Sequence, residues 1–326
     1  MAGYIVRALL DYHHADLVES LHLLLEDRLG IECYLPVGMG WWERWYWGFG
    51  RATWGDDRLA RQFLTRANVE RDDAHPQRKH RVIEVEEALD LPWDYVIASV
   101  PDNYNGYRAF AEKTGARFVI QVGNTNQEVA WQFDPLVLNS SEMPIVGRGI
   151  QYHQEFDLQA FRYREPQGTR QIASFVNCMD RLPCYPYLVA ARELLTDFEW
   201  RIHGIDGPDG NIKPTARIAD LMADAGWGWH DKVTGDGFGH VIHNWAAVGR
   251  PLIGHGSHYA GKVAGPFWED GVTCIDLDRQ SLEDACRIVR EISAADHAAM
   301  CVAIRERFDA CVDYAAEAEQ IRALLA

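Results

Sequence analysis

The chain has 326 residues, 48% hydrophobic and 25% charged, with 32 basic against 48 acidic side chains and a formal net charge of −16. That length exceeds one ordinary core and suits two domains of about 150 residues each, and the negative balance opposes unspecific attraction to nucleic acid or anionic lipid. No apolar run approaches the roughly eighteen residues that cross a bilayer, Arg7 and Asp11 spoil a signal peptide, and seven cysteines without a Cys-x-x-Cys pair suit a reducing compartment, so a soluble, cytoplasmic protein is expected.

Residues 4–10 read as a buried strand, residues 16–30 as an amphipathic helix opened by Asp16 and stopped by Gly30, and residues 31–37 as a second strand. Ligands of such β-α-β openings sit at the carboxyl ends of the strands, so the loop holding Asp11, His13, His14 and Asp16 is placed at the expected cleft. Next comes an aromatic run in which Trp41, Trp42, Trp45, Tyr46, Trp47, Phe49 and Trp54 surround Arg44 and Arg51. Trp41, Trp45 and Phe49 fall at helical spacing, so a packed face and a surface that stacks sugar rings or nucleobases both account for the run. Residues 72–81 are polar and punctuated by Pro76, a surface loop whose basic run from Arg78 to Arg81 is solvated or meets an acceptor phosphate. Strands follow at 95–100, 117–122 and 135–139, alternating with helical stretches, which implies a parallel, doubly wound sheet.

Glycines around 147–149 and 166–168 bracket a linker, which divides the chain into a domain of residues 1–150 and one of residues 151–326. The pattern then restarts with a strand at 171–176, a helix at 186–195, a strand at 198–205, a helix at 215–225 and a short apolar segment at 226–230. The central unit is Gly235-Asp-Gly-Phe-Gly-His240-Val-Ile-His-Asn-Trp245-Ala-Ala-Val-Gly249-Arg-Pro-Leu-Ile253. Three glycines in five residues precede a stripe of Val241, Ile242, Trp245 and Val248, so the chain turns tightly and starts a helix whose free amides form an anion site. Gly249 and Pro251 stop that helix, and Leu252-Ile253 begins a buried strand. Residues 281–325 are helical, with Cys286, Val289, Ile292, Met300, Ile304 and Phe308 on apolar faces.

The central unit resembles the donor-binding signature of the GT-B glycosyltransferases, in which an acidic residue and Gly-Phe-Gly open a helix that ends in Ala-x-x-Gly-x-Pro before a hydrophobic strand. The resemblance covers about forty residues and extends to the turn and strand of Glu269-Asp-Gly-Val-Thr-Cys-Ile275. It implies two Rossmann-like domains whose parallel sheets face across a cleft, with a helical C-terminal tail packing back over both. It implies an acceptor domain first and a donor domain second. Asp236 stands at the family's first carboxylate, which touches the donor sugar; Gly237, Phe238, Gly239 and His240 supply amides toward sugar and phosphates. Asn244 replaces the second acid, which holds the ribose hydroxyls, and an amide offers one donor and one acceptor there. A basic residue after the first strand of the second half meets the diphosphate, which points to Arg181, with Lys232 next.

The reaction implied is transfer of a sugar from a nucleotide-sugar, a UDP-sugar foremost, to a hydroxyl acceptor, with no tightly bound cofactor or metal. If configuration inverts, His14, His13, Asp16 or Asp11 accepts the acceptor's proton; a histidine suits by its near-neutral pKa. If it is retained, the departing phosphate takes that proton. Trp41, Trp42, Arg44, Trp45 and Arg51 are the acceptor-binding candidates. The first half is also similar to glycosyltransferase-like proteins of phage genomes, which makes a flipped 5-hydroxymethyl pyrimidine in DNA the specific acceptor expected. A nucleotide-sugar 2-epimerase and a transferase acting on a glycan or small molecule are the alternatives. His230, His240, His243, His255 and His258 crowd the second half without a metal-binding signature.

Overall fold

The computed structural model describes residues 4–11, 15–37, 73–124, 127–142 and 148–326. The chain forms two compact units, one of Met1–Ser140, Pro144–Phe156 and Tyr314–Ala326, the other of Ser141–Met143 and Asp157–Asp313.

In the first unit short apolar runs, buried on both faces, build a wholly parallel sheet. Its strands are β1 (Arg7–Leu10), β2 (Glu32–Val37), β3 (Arg81–Glu84), β4 (Tyr95–Ala98), β5 (Arg117–Val122), β6 (Leu136–Asn139) and β7 (Gly149–Gln151), in the order β3-β2-β1-β4-β5-β6-β7. Helix α1 (Ala15–His22), running on into a π turn at Leu23–Arg28, buries Leu17, Val18, Leu21, Leu24 and Leu25 on one face. After the short α2 (Val85–Ala88), helix α3 (Tyr104–Thr114) covers the other face with Tyr107 and Phe110. Strands β3 and β7 are departures from the sequence reading, which gave a surface loop up to residue 81 and a linker at 147–149. Both are edge strands without a fully buried run, so neither carries the apolar signal that marks the central strands. Arg78 is likewise not solvated: it pairs with Glu19 and Asp27, and Arg81 pairs with Glu26.

The second unit holds β8 (Gln171–Ser174), β9 (Glu199–Ile202), β10 (Trp227–Trp229), β11 (Leu252–Gly254) and β12 (Cys274–Asp276), all parallel, in the order β12-β11-β10-β8-β9. Helices α4 (Tyr185–Leu194), α5 (Thr215–Asp224) and α6 (His240–Val248) follow β8, β9 and β10. Helices α7 (Leu282–Glu291) and α8 (Ala294–Cys311) continue the chain, each opened by a serine whose hydroxyl accepts an amide three residues on. One core joins α4 and α7 to Ile172, Trp227, Trp229, Ile253 and Ile275. The last helix, α9 (Tyr314–Leu325), belongs to the first unit, where Ala318, Ile321 and Leu325 enter the core beneath α1. Among the described residues no helix is long and apolar enough to cross a membrane.

Candidate functional site

Topology marks a crevice in the second unit before any side chain is considered. The chain leaves β8 toward β9 on one side and resumes at β10 on the other, so β8 and β10 are neighbours at the reversal of strand order. Helices α4 and α6 flank them on opposite faces: α4 packs with Trp227 and Trp229, and the Trp245 indole of α6 lies over Gly228. Ligands of open parallel sheets lie beyond the carboxyl ends of strands at such a reversal.

The loop from β10 to α6 fills this position. Gly239, at the helix N-cap, has φ +74°, and a Cβ there would stand 3.0 Å from that of Ala264, so only glycine fits the turn. Helix α6 then starts at His240, and its first amides lack acceptors within the helix, leaving partial positive charge at the loop. Phe238 is buried and stacks on His243, whose Nδ1 hydrogen-bonds the Gly239 carbonyl at 2.9 Å. Gly237 is buried beside it.

Asp236 is the charged centre of the loop. Its Oδ2 is 3.0 Å from His230 Nε2 and accepts from the Tyr259 hydroxyl at 2.8 Å, and Lys232 Nζ lies 3.8 Å from Oδ1. Burial by itself favours the protonated acid, but Lys232 and the hydrogen bonds from His230 and Tyr259 outweigh it and hold the carboxyl well below its usual range. Burial raises the Tyr259 phenol, as does the Asp236 charge, so this hydroxyl stays a donor. Lys262, only 6% exposed, donates to the Asp236 carbonyl at 3.3 Å and lies 3.1 Å from His258 Nε2. Burial lowers the pKa of Lys262 and of His258, and Lys262 lowers His258 further. Basic side chains thus gather around a loop that already presents helix amides.

Asn244 is buried one turn into α6, and its Oδ1 has no hydrogen-bond partner among the described residues. Arg181 follows β8 in the loop across the crevice, exposed and bound to Asp206 at 2.6 Å. Asp236, Gly237, Phe238, Gly239, His240, Asn244 and Lys232 are therefore gathered at one helix start, with Arg181 on the neighbouring loop. Tyr259 and Lys262 complete the group and were missed by sequence reasoning. They lie beyond the strand that follows α6, in a 3-10 turn (Gly256–Tyr259) and just after it, where no motif announces them.

The candidates of the first unit are differently placed. Asp11 is completely buried and accepts from Ser99 N, Val100 N and Asn103 Nδ2 at 3.1, 3.0 and 3.1 Å, which ties β1 to the start of α3. Asp16 stands at the start of α1, 3.6 Å from His75 Nε2. His13, His14, Trp41, Trp42, Arg44, Trp45 and Arg51 lie outside the described residues.

No family model and no curated protein matches the chain in sequence. Solved structures do match it along its whole length. HepE of Anabaena, crystallised with UDP and glucose, superposes with a TM-score of 0.67 over 99% of both chains at 11% identity. A glycosyltransferase from Rickettsia africae gives 0.62 over 98% of both chains at 12% identity. AviGT4, a glycosyltransferase of avilamycin A biosynthesis, gives 0.56 over 99% of this chain and 97% of its own, also at 12% identity. The fold is GT-B. Within it the two α/β units carry wholly parallel sheets of seven and five strands and end in a helical tail. Four of the five histidines crowding the second unit are engaged individually, His230 by Asp236, His243 by Gly239, His255 by Asp231 and His258 by Lys262.

Proposed function

We propose that this chain transfers a sugar from a nucleotide-sugar, a UDP-sugar foremost, to a hydroxyl acceptor. The observation that carries the reading is the Asp236 loop. An ionised carboxylate, helix amides and basic side chains converge at the strand-order reversal of a GT-B unit, and a solved structure of the same fold holds UDP and glucose. In this reading Asp236 accepts hydrogen bonds from the sugar, the amides from Gly237 to His240 face the diphosphate, and Lys232, Lys262 and Arg181 oppose the charge that develops as the sugar leaves. Asn244, with an amide oxygen that no group among the described residues engages, receives a ribose hydroxyl. No tightly bound cofactor is required.

The specific acceptor proposed is a 5-hydroxymethyl pyrimidine in phage DNA, supported by the tryptophan and arginine run at residues 41–54. Incubation of the protein with UDP-glucose or UDP-N-acetylglucosamine and hydroxymethylcytosine-containing DNA, a glycan or a small-molecule alcohol, with UDP release and product mass as readouts, tests donor and acceptor together. Release of UDP with a glycosylated product is the expected result. A C2-epimerised donor with little free UDP would establish the isomerase instead, and an unaltered donor and no nucleotide binding across the panel would remove both.

A further inference from the structure

The donor reading leaves one polar pair in the same crevice unused, a buried aspartate and a half-buried histidine. Asp231 follows β10 and His255 follows β11; Trp229 and Ile253 are in register, so the two residues stand side by side at the carboxyl edge. Asp231 is fully buried, and its Oδ1 receives the His255 ring Nδ1 at 2.7 Å and the His255 amide at 3.3 Å. The ring therefore carries its proton on Nδ1, and Nε2 is the nitrogen turned away from the carboxylate. No protein partner for that nitrogen occurs among the described residues, and the side chain is 15% exposed.

The pair belongs to the crevice by two connections. Asp231 is bonded through the chain to His230, whose ring holds Asp236, and its carbonyl accepts the thiol of Cys184, the residue before α4, at 2.7 Å. The His255 ring meets Tyr187 in the first turn of α4 edge-on, with centroids 4.9 Å apart. His255 thus sits on the α4 side of the strand ends, and the glycine loop sits on the α6 side.

We propose that His255, locked by Asp231, binds a phosphate of a nucleoside diphosphate as an imidazolium, from the side of the crevice opposite the Asp236 loop. The proposal rests on the donor reading given above. Among the described residues the groups that act on the imidazole most strongly are Asp231, Asp278 and Asp276, with the Tyr187 ring edge-on, and Arg279 lies beyond Asp276 at 4.0 Å from it. The hydrogen bond to Asp231 raises its pKa despite burial, and the charges of Asp231, Asp278 and Asp276 add to this. A raised pKa extends the cationic form toward neutral pH, where a diphosphate is fully ionised.

Binding of UDP and of uridine by the full chain, measured calorimetrically between roughly pH 7 and 9, tests this. The unsubstituted protein should bind UDP about tenfold more weakly as the imidazolium is lost, with uridine affinity unchanged. His255→Asn keeps an amide donor for Asp231 and removes Nε2. It should bind UDP about tenfold more weakly at pH 7, show no further decline up to pH 9, and bind uridine as before. Asp231→Asn, with its fold checked by thermal melting, should shift the decline to lower pH. Unchanged UDP affinity and an unchanged pH profile in His255→Asn would overturn the proposal and leave the donor reading standing. Absence of UDP binding by the unsubstituted chain would overturn both.

Discussion

Asp11 is a fully buried carboxylate and Asp236 a half-buried one, and their surroundings drive them in opposite directions. Asp236 has a lysine, a histidine and a phenol around it and stays ionised. Asp236→Asn preserves size but loses the charge, and turnover should fall about 100-fold with secondary structure retained by circular dichroism. Because that carboxyl is already ionised well below neutrality, an acid limb in the rate of the proposed transfer by the unsubstituted protein between roughly pH 5 and 7 should not disappear in this variant's residual rate. Asp11 has only neutral donors, and burial pushes its pKa from 3.8 to about 6 despite hydrogen bonds from Ser99, Asn103 and Val100. The folded state thus holds the proton more tightly than the unfolded one. Its contribution to stability should be largest below about pH 4 and decline by about 3 kcal/mol as pH rises through about 6, then level off. Asp11→Asn should flatten that slope in denaturant melts, since Asn103, whose Oδ1 is buried without a partner among the described residues, can turn its amide to receive the new donor. A slope that persisted in the variant would assign it to another group. At this scale Asp236 was legible from its glycine loop. Asp11 was read as facing a cleft, because a strand-end position is visible in sequence but the three donors that enclose it come from residues nearly ninety positions away.

Helix α6 shows how one element reads well from sequence and its neighbours do not. Its apolar stripe, its glycine start and its glycine stop are all local, and the observed bounds follow them. At the stop, Gly249 has φ +72°, and a Cβ would stand 2.4 Å from the Tyr163 ring. Gly249→Ala should therefore cost about 2 kcal/mol or more, measured as a lowered denaturant midpoint with unchanged slope. The buried guanidinium of Arg250 beside it donates to the carbonyls of Ala225, Arg164, Val248, Gly249 and Ala223, closing the backbone where α6 turns into β11. Nothing in the motif Gly-Arg-Pro announces that role, since each acceptor is a main-chain oxygen without sequence identity. The cap of α7 is local again: Ser281→Ala removes the hydroxyl that accepts from Asp284 N, and about 1 kcal/mol should be lost. Strands β3 and β7 stayed hidden because an edge position needs only one neighbour and little apolar surface.

For the molecule as a whole, composition and alternation implied two parallel α/β units, and the GT-B fold has them. The returning helix α9 ties residues 314–325 into the first unit. In α9, Glu317 accepts from the amide and the ring of His153 at 2.7 and 2.6 Å, and the Leu325 carbonyl accepts from the Tyr95 hydroxyl at 2.9 Å and from Arg117. Deleting residues 314–326 strips Ala318, Ile321 and Leu325 from the first core, so the first unit should melt at markedly lower temperature while the second keeps its own transition. A single unshifted transition in calorimetry would contradict this. The same helix sets an order of events during synthesis. A nascent chain emerging from the ribosome can assemble the second unit from residues 157–313, but the part of the first core that α9 completes stays open until residues 314–326 arrive. The earliest segment made is thus sealed only after the second unit has been delivered, and a stop placed before residue 314 would harm the first unit more than the second.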